Sequence, residues 1–150
     1  MGAIRYDLEF KGQVAQVKEG VFHVVSTAAS STISTVVSPS GVREKASATR
    51  GGAKAYFESD VTMTGEDTFL EKGRIKFGKS GKHGFSFATV GAGSFKAGPD
   101  SGGMHGAVTW RITRGFGQFK GAKGYVTSNF SVDGEGRLVD RQVGQFFSKG

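Results

Sequence analysis

Apolar and polar residues alternate strictly from Ile4 to Phe10. Ile4, Tyr6, Leu8 and Phe10 share one face of an extended chain, and Arg5, Asp7 and Glu9 share the other. No stretch keeps a 3.6-residue period, so the pattern predicts strands and no helices. Two β-branched runs follow, Val21–Thr27 and Thr32–Val37, with Ala28–Ser31 between them as a loop. Ser38–Gly41, which holds Pro39, reads as a turn. Further strands are predicted at Ala53–Thr62, Phe69–Phe77, Phe85–Val90, Gly106–Thr113, Tyr125–Val132 and Leu138–Phe147. Turns fall at Thr64–Asp67, Gly78–Lys82 and Asp133–Gly136, and Gly91–Gly103, with Pro99 and Asp100 inside it, reads as the longest loop. Eight to ten short strands at regular spacing suit a sandwich or a barrel. No composition shift or linker divides the chain, so residues 1–150 read as one domain.

Composition sharpens this picture. The chain has 25 Gly but only 2 Pro, which without a collagen period points to turns and bulges in a β protein. It has no Cys, which removes disulfides, thiolate metal sites and thiol nucleophiles, and is compatible with a reducing, cytoplasmic location. The segment Met1–Phe10 lacks the apolar core of a signal peptide, and no apolar run approaches membrane-spanning length. The formal charge of +7 comes from Lys and Arg spread along the chain rather than gathered in a block, as on a solvated basic surface.

Glycine crowds one segment most: Gly115, Gly117, Gly121 and Gly124, with Phe116 and Phe119 between them. It reads as a strand ending at Thr113, a tight glycine loop, and a return to strand near Gly124. Phe119 would plug one end of the core above the small Ala122. The spacing Gly-x-Gly-x-x-x-Gly, with a strand after it, does not fit a dinucleotide fingerprint, and this loop lacks the Gly-Lys-Ser/Thr ending of a phosphate loop.

From Ile112 to Val126 the sequence Ile-Thr-Arg-Gly-Phe-Gly-Gln-Phe-Lys-Gly-Ala-Lys-Gly-Tyr-Val resembles a segment of allene oxide cyclases, which the dirigent proteins carry in looser form. Arg114 and Phe116 depart from it. Tyr6-Asp7-Leu8-Glu9 is similar to the first strand of those cyclases, and Gly144-Gln145-Phe146-Phe147 to the last. The resemblance implies an eight-stranded antiparallel β-barrel with a central apolar cavity, assembled as a dimer or trimer. It further implies cyclisation or coupling of hydrophobic intermediates without cofactor or metal. It maps the first-strand acid of the family onto Asp7 and its neighbour onto Glu9. The proline that the family places beside this strand has no counterpart, since the first Pro is Pro39.

Two readings of Arg5, Asp7 and Glu9 stand side by side. Facing a cavity, Asp7 and Glu9 would be catalytic carboxylates, with Arg5 binding substrate. Facing water, the three are the wet side of an outer strand. Phe57, Phe85, Phe87 and Trp110 are the candidate linings of a substrate site, or else plain core. His23, His83 and His105 lack the spacing of metal ligands, so no metal is expected. Three functions follow in order: a cofactor-independent cyclase or isomerase acting on a small hydrophobic molecule, a non-catalytic carrier of one, and, last, a nucleic-acid-binding barrel.

Overall fold

The computed structural model describes residues 2–98 and 102–148, apart from the side chain of Thr32. Eleven strands run β1 (Gly2–Lys18), β2 (Val21–Ala29), β3 (Ser31–Ser38), β4 (Gly41–Ala48), β5 (Lys54–Met63) and β6 (Thr68–Phe77), then β7 (His83–Thr89), β8 (Gly93–Ala97), β9 (Met104–Phe116), β10 (Lys123–Val132) and β11 (Arg137–Ser148). The one helical piece among the described residues is a 3-10 turn at Gly117–Phe119. Nine strands form a sheet in the order β10-β11-β1-β2-β5-β6-β7-β9-β8, and the pairings β10–β9 and β6–β8 close it on itself. Both β7 and β8 lie between β6 and β9, so together they fill one position. The result is an eight-stranded, closed antiparallel barrel, as expected. Closure pairs both edges of the barrel sheet, so among the described residues the free strand edges belong to the separate β3–β4 sheet.

Strand boundaries differ from expectation in informative ways. β1 continues to Lys18, because Lys11–Lys18 pairs with β2 after Gly2–Gln13 has paired with β11. β4 falls where no strand is predicted: Gly41–Ala48 is exposed throughout and shows no alternation. It pairs only with β3, forming a hairpin inserted between β2 and β5. β8 interrupts the long loop predicted at Gly91–Gly103, of which Pro99 and Asp100 lie outside the described residues.

The barrel wall obeys period two. On β1, Tyr6, Leu8 and Phe10 turn inward; on β5, Ala55, Phe57 and Ser59 do. Aromatic rings fill the middle: Phe57 packs on Phe87 and Trp110, each at 5.5 Å between centroids, and on Phe10 at 5.9 Å. The central cavity that the resemblance implies is therefore occupied by side chains. Phe119 stoppers one end, its ring 5.2 Å from Phe77, 5.1 Å from Phe85 and 4.0 Å from Phe146. The turn that delivers it needs Gly117, whose φ is +63° and where a Cβ would sit 2.1 Å from the Lys82 carbonyl oxygen. The Gln118 N–H donates to His83 Nδ1 at 2.9 Å and ties the same turn to β7.

Candidate functional site

Open space lies at the other end of the barrel, where β1 turns into β2, β5 into β6 and β10 into β11. A cavity of about 240 Å³ opens there. Its walls are apolar, with Phe22, Phe69, Phe95, Phe130 and Leu138 prominent, and Phe57 forms part of its inner surface. Three polar side chains reach it: Glu71, Ser128 and Asp140.

These polar groups come from strands whose other inward positions are apolar or small, Gln142 on β11 excepted. On β6 the inward set is Phe69, Glu71, Gly73 and Ile75; on β11 it is Leu138, Asp140, Gln142, Gly144 and Phe146. The Ser59 hydroxyl donates to Glu71 Oε2 at 2.5 Å, and the Ser128 hydroxyl donates to Asp140 Oδ1 at 2.5 Å. Gln142 Nε2 donates to Asp140 Oδ2 at 2.9 Å, and the Tyr6 hydroxyl reaches Gln142 Oε1 at 3.3 Å. Burial without a cationic partner favours the protonated acid. Desolvation pushes Glu71 up to about 8, opposed by the Ser59 hydrogen bond and reinforced by the charge of Asp140. The buried Trp110 N–H closes no hydrogen bond, yet it lies near enough to Glu71 to favour its carboxylate. Desolvation pushes Asp140 up to about 6, held back by the bonds from Ser128 and Gln142. Tyr6 rises well above its ordinary value, through burial first and the Asp140 charge second. Burial therefore raises both acids, Glu71 further than Asp140.

The residues singled out from sequence fall elsewhere. Asp7 and Glu9 lie on the outer face of β1, because the inward parity belongs to Tyr6, Leu8 and Phe10. Arg141, also outward, stands 3.2 Å from Asp7 and binds Glu44 of the inserted hairpin. Glu9 meets Lys11 at 3.7 Å. Arg5 is outward too, its Nε donating to Gln145 at 3.0 Å. Of the aromatic candidates, Phe57 lines the cavity, Phe87 and Trp110 pack behind it, and Phe85 belongs to the stoppered end. The structure thus brings none of the expected polar residues to the cavity. Parity could have flagged Glu71 and Asp140, since each sits two residues from an inward apolar neighbour, Phe69 and Leu138.

Among the described residues no three His, Asp or Glu side chains are grouped to hold a metal, and no helix is long and apolar enough to cross a membrane. Fold and site together define a small closed antiparallel barrel with one stoppered end and a buried acid pair beneath the open one. No family model matches the chain, and no curated protein matches it. Among solved structures, that of the pterocarpan synthase dirigent protein GePTS1 is similar at 18% identity over 99% of this chain and 92% of that chain, with a TM-score of 0.33. A likeness of that degree says nothing of what this chain binds.

Proposed function

We propose that this chain is a cofactor-independent cyclase or isomerase acting on a small hydrophobic molecule held in the mouth cavity, with Glu71 as general acid and Asp140 as general base. One observation carries this reading. Two buried carboxyls, Glu71 and Asp140, line one apolar recess, and burial raises both toward the range in which a carboxyl can give or take a proton. The apolar walls would fold the substrate and exclude water, and that restriction would supply a large part of the acceleration. Asp7, Glu9 and Arg5, on the outer face, have no part in it.

Proton movement can be tested before the substrate is known. Small hydrophobic compounds that raise the melting temperature are incubated with the protein in D2O, and recovered compounds are examined by mass spectrometry and NMR. The expected result is deuterium incorporation or rearrangement of a bound compound, reduced about 10²- to 10⁴-fold in Glu71→Gln or Asp140→Asn. Equal turnover in both variants overturns the assignment. Binding with every compound recovered unchanged makes the barrel a carrier.

A further inference from the structure

We propose that the mouth cavity selects hydrophobic amines, taking the ammonium form with its hydrocarbon among the phenylalanine rings and its charge on the Glu71–Asp140 pair. This rests on the reading of the mouth cavity as a ligand site and adds the class of ligand. The first argument is an inventory of charge. Among the described residues no Lys, Arg or His lines the cavity, and its ionisable groups are the two carboxyls. An anionic ligand would meet like charge at the floor and no cation anywhere on the walls.

The groups facing the pair from neighbouring strands are also without positive charge: Ser59 on β5, Trp110 on β9, Ser128 on β10, Gln142 on β11 and, through Gln142, Tyr6 on β1. Two buried carboxyls without a cation leave an electrostatic deficit that a ligand's ammonium can fill, because a buried charge is stable only when paired. The walls supply the second argument. Phe22, Phe57, Phe69, Phe95 and Phe130 contribute rings to the cavity, and the negative ring face attracts a cation that has lost its water.

The third argument lies outside the cavity. The β1–β2, β5–β6 and β10–β11 turns at the mouth carry Glu19, Glu66, Asp67, Asp133 and Glu135, with Lys18 flanking the first. Lys96 pairs with Asp67, and Arg137 with Asp133 and Glu135; among the described residues, Glu19 and Glu66 have no cation within ion-pair distance. At the stoppered end the β6–β7 and β9–β10 turns carry Lys79, Lys82 and Lys120, and no acid. Acids therefore outnumber cations at the opening while lysines prevail on the turns of the closed end, an arrangement that draws cations toward the mouth.

The test compares 2-phenylethylamine, 2-phenylethanol and phenylacetate by calorimetric titration of the whole chain at pH 8.5 and pH 5. The amine is expected to bind about tenfold or more tighter than the alcohol at pH 8.5, and phenylacetate more weakly than either. At pH 5 both carboxyls carry protons while the amine keeps its charge, so its advantage shrinks. Glu71→Gln with Asp140→Asn should bring amine affinity down to that of the alcohol. The three-probe comparison uses the unaltered protein and stands even if the double variant does not fold. Alcohol and amine binding equally, or phenylacetate binding best, overturns the amine preference and leaves the cavity a ligand site. Binding of none of the three overturns both.

Discussion

Glu71 and Asp140 sit where water cannot stabilise their charge, and this links folding to pH. Both acids are raised in the folded state, so the folded chain holds protons that the unfolded chain releases. The stability these two acids contribute is therefore fullest below the ordinary carboxylate range and falls as pH climbs, with the loss from Asp140 complete near pH 6 and that from Glu71 near pH 8; the exposed Asp67 and Asp133, both lowered by their cations, act in the opposite sense at the acid end. Urea denaturation between pH 4 and 9 should show this decline. Glu71→Gln, which keeps a partner for Ser59, should flatten it and add on the order of 2 kcal/mol at pH 8; a stability that rises over the same range would contradict the assignment. A second residue-scale expectation concerns Gly144, opposite Tyr6 on β1. A Cβ there would lie 2.1 Å from the Tyr6 ring, so Gly144→Val should cost about 1–3 kcal/mol in the same assay. At this scale the sequence misleads in a definite way. Alternation on β1 separates Asp7 and Glu9 from Tyr6, Leu8 and Phe10 correctly, but it does not say which set faces in. The inward carboxyls were hidden because each stands alone in a strand, and only its parity with buried neighbours marks it.

Among the elements, the glycine-rich connection after β9 is the part most legible from sequence. Its glycines, its return to strand and the burial of Phe119 all follow from residue type, although β9 runs three residues beyond Thr113 before the turn begins. Phe119 touches rings from three strands, so Phe119→Ala should cost about 3–5 kcal/mol by urea denaturation, and Phe119→Leu distinctly less. The β3–β4 hairpin is the opposite case. Its β3 follows from the β-branched run Thr32–Val37, but β4 shows no burial, and Val37 and Val42, at the hairpin's turn, stand in water at 75% and 73% exposure, so no hydrophobic period betrays β4. β2 and β5 pair directly from Val21↔Thr62 to Ala29↔Lys54 without it. Replacing residues 31–52 by an Asn-Gly turn should leave the barrel folded and cost about 1 kcal/mol or less, mainly the exposed Arg141–Glu44 pair. Loss of the β spectrum on deletion would show that the hairpin is integral to the fold.

At the scale of the molecule, closure joins β1 to β11, the strands farthest apart in sequence: Gly2 pairs with Ser148, and the ladder runs on to Gln13↔Arg137. No local pattern encodes that pairing. Alternation gives each strand its two faces, while the order of strands around the barrel comes from contacts far apart in sequence. Such contacts are slow to form, so refolding from urea should take milliseconds to seconds, and a microsecond phase accounting for the whole signal would contradict this topology. The stopper has a consequence for traffic. With Phe119 and its neighbours sealing the far end, whatever occupies the recess must back out through the opening by which it came in. Substrate and product would then queue at one door, each excluding the other, and a turnover assay would register that queue as competitive inhibition by product.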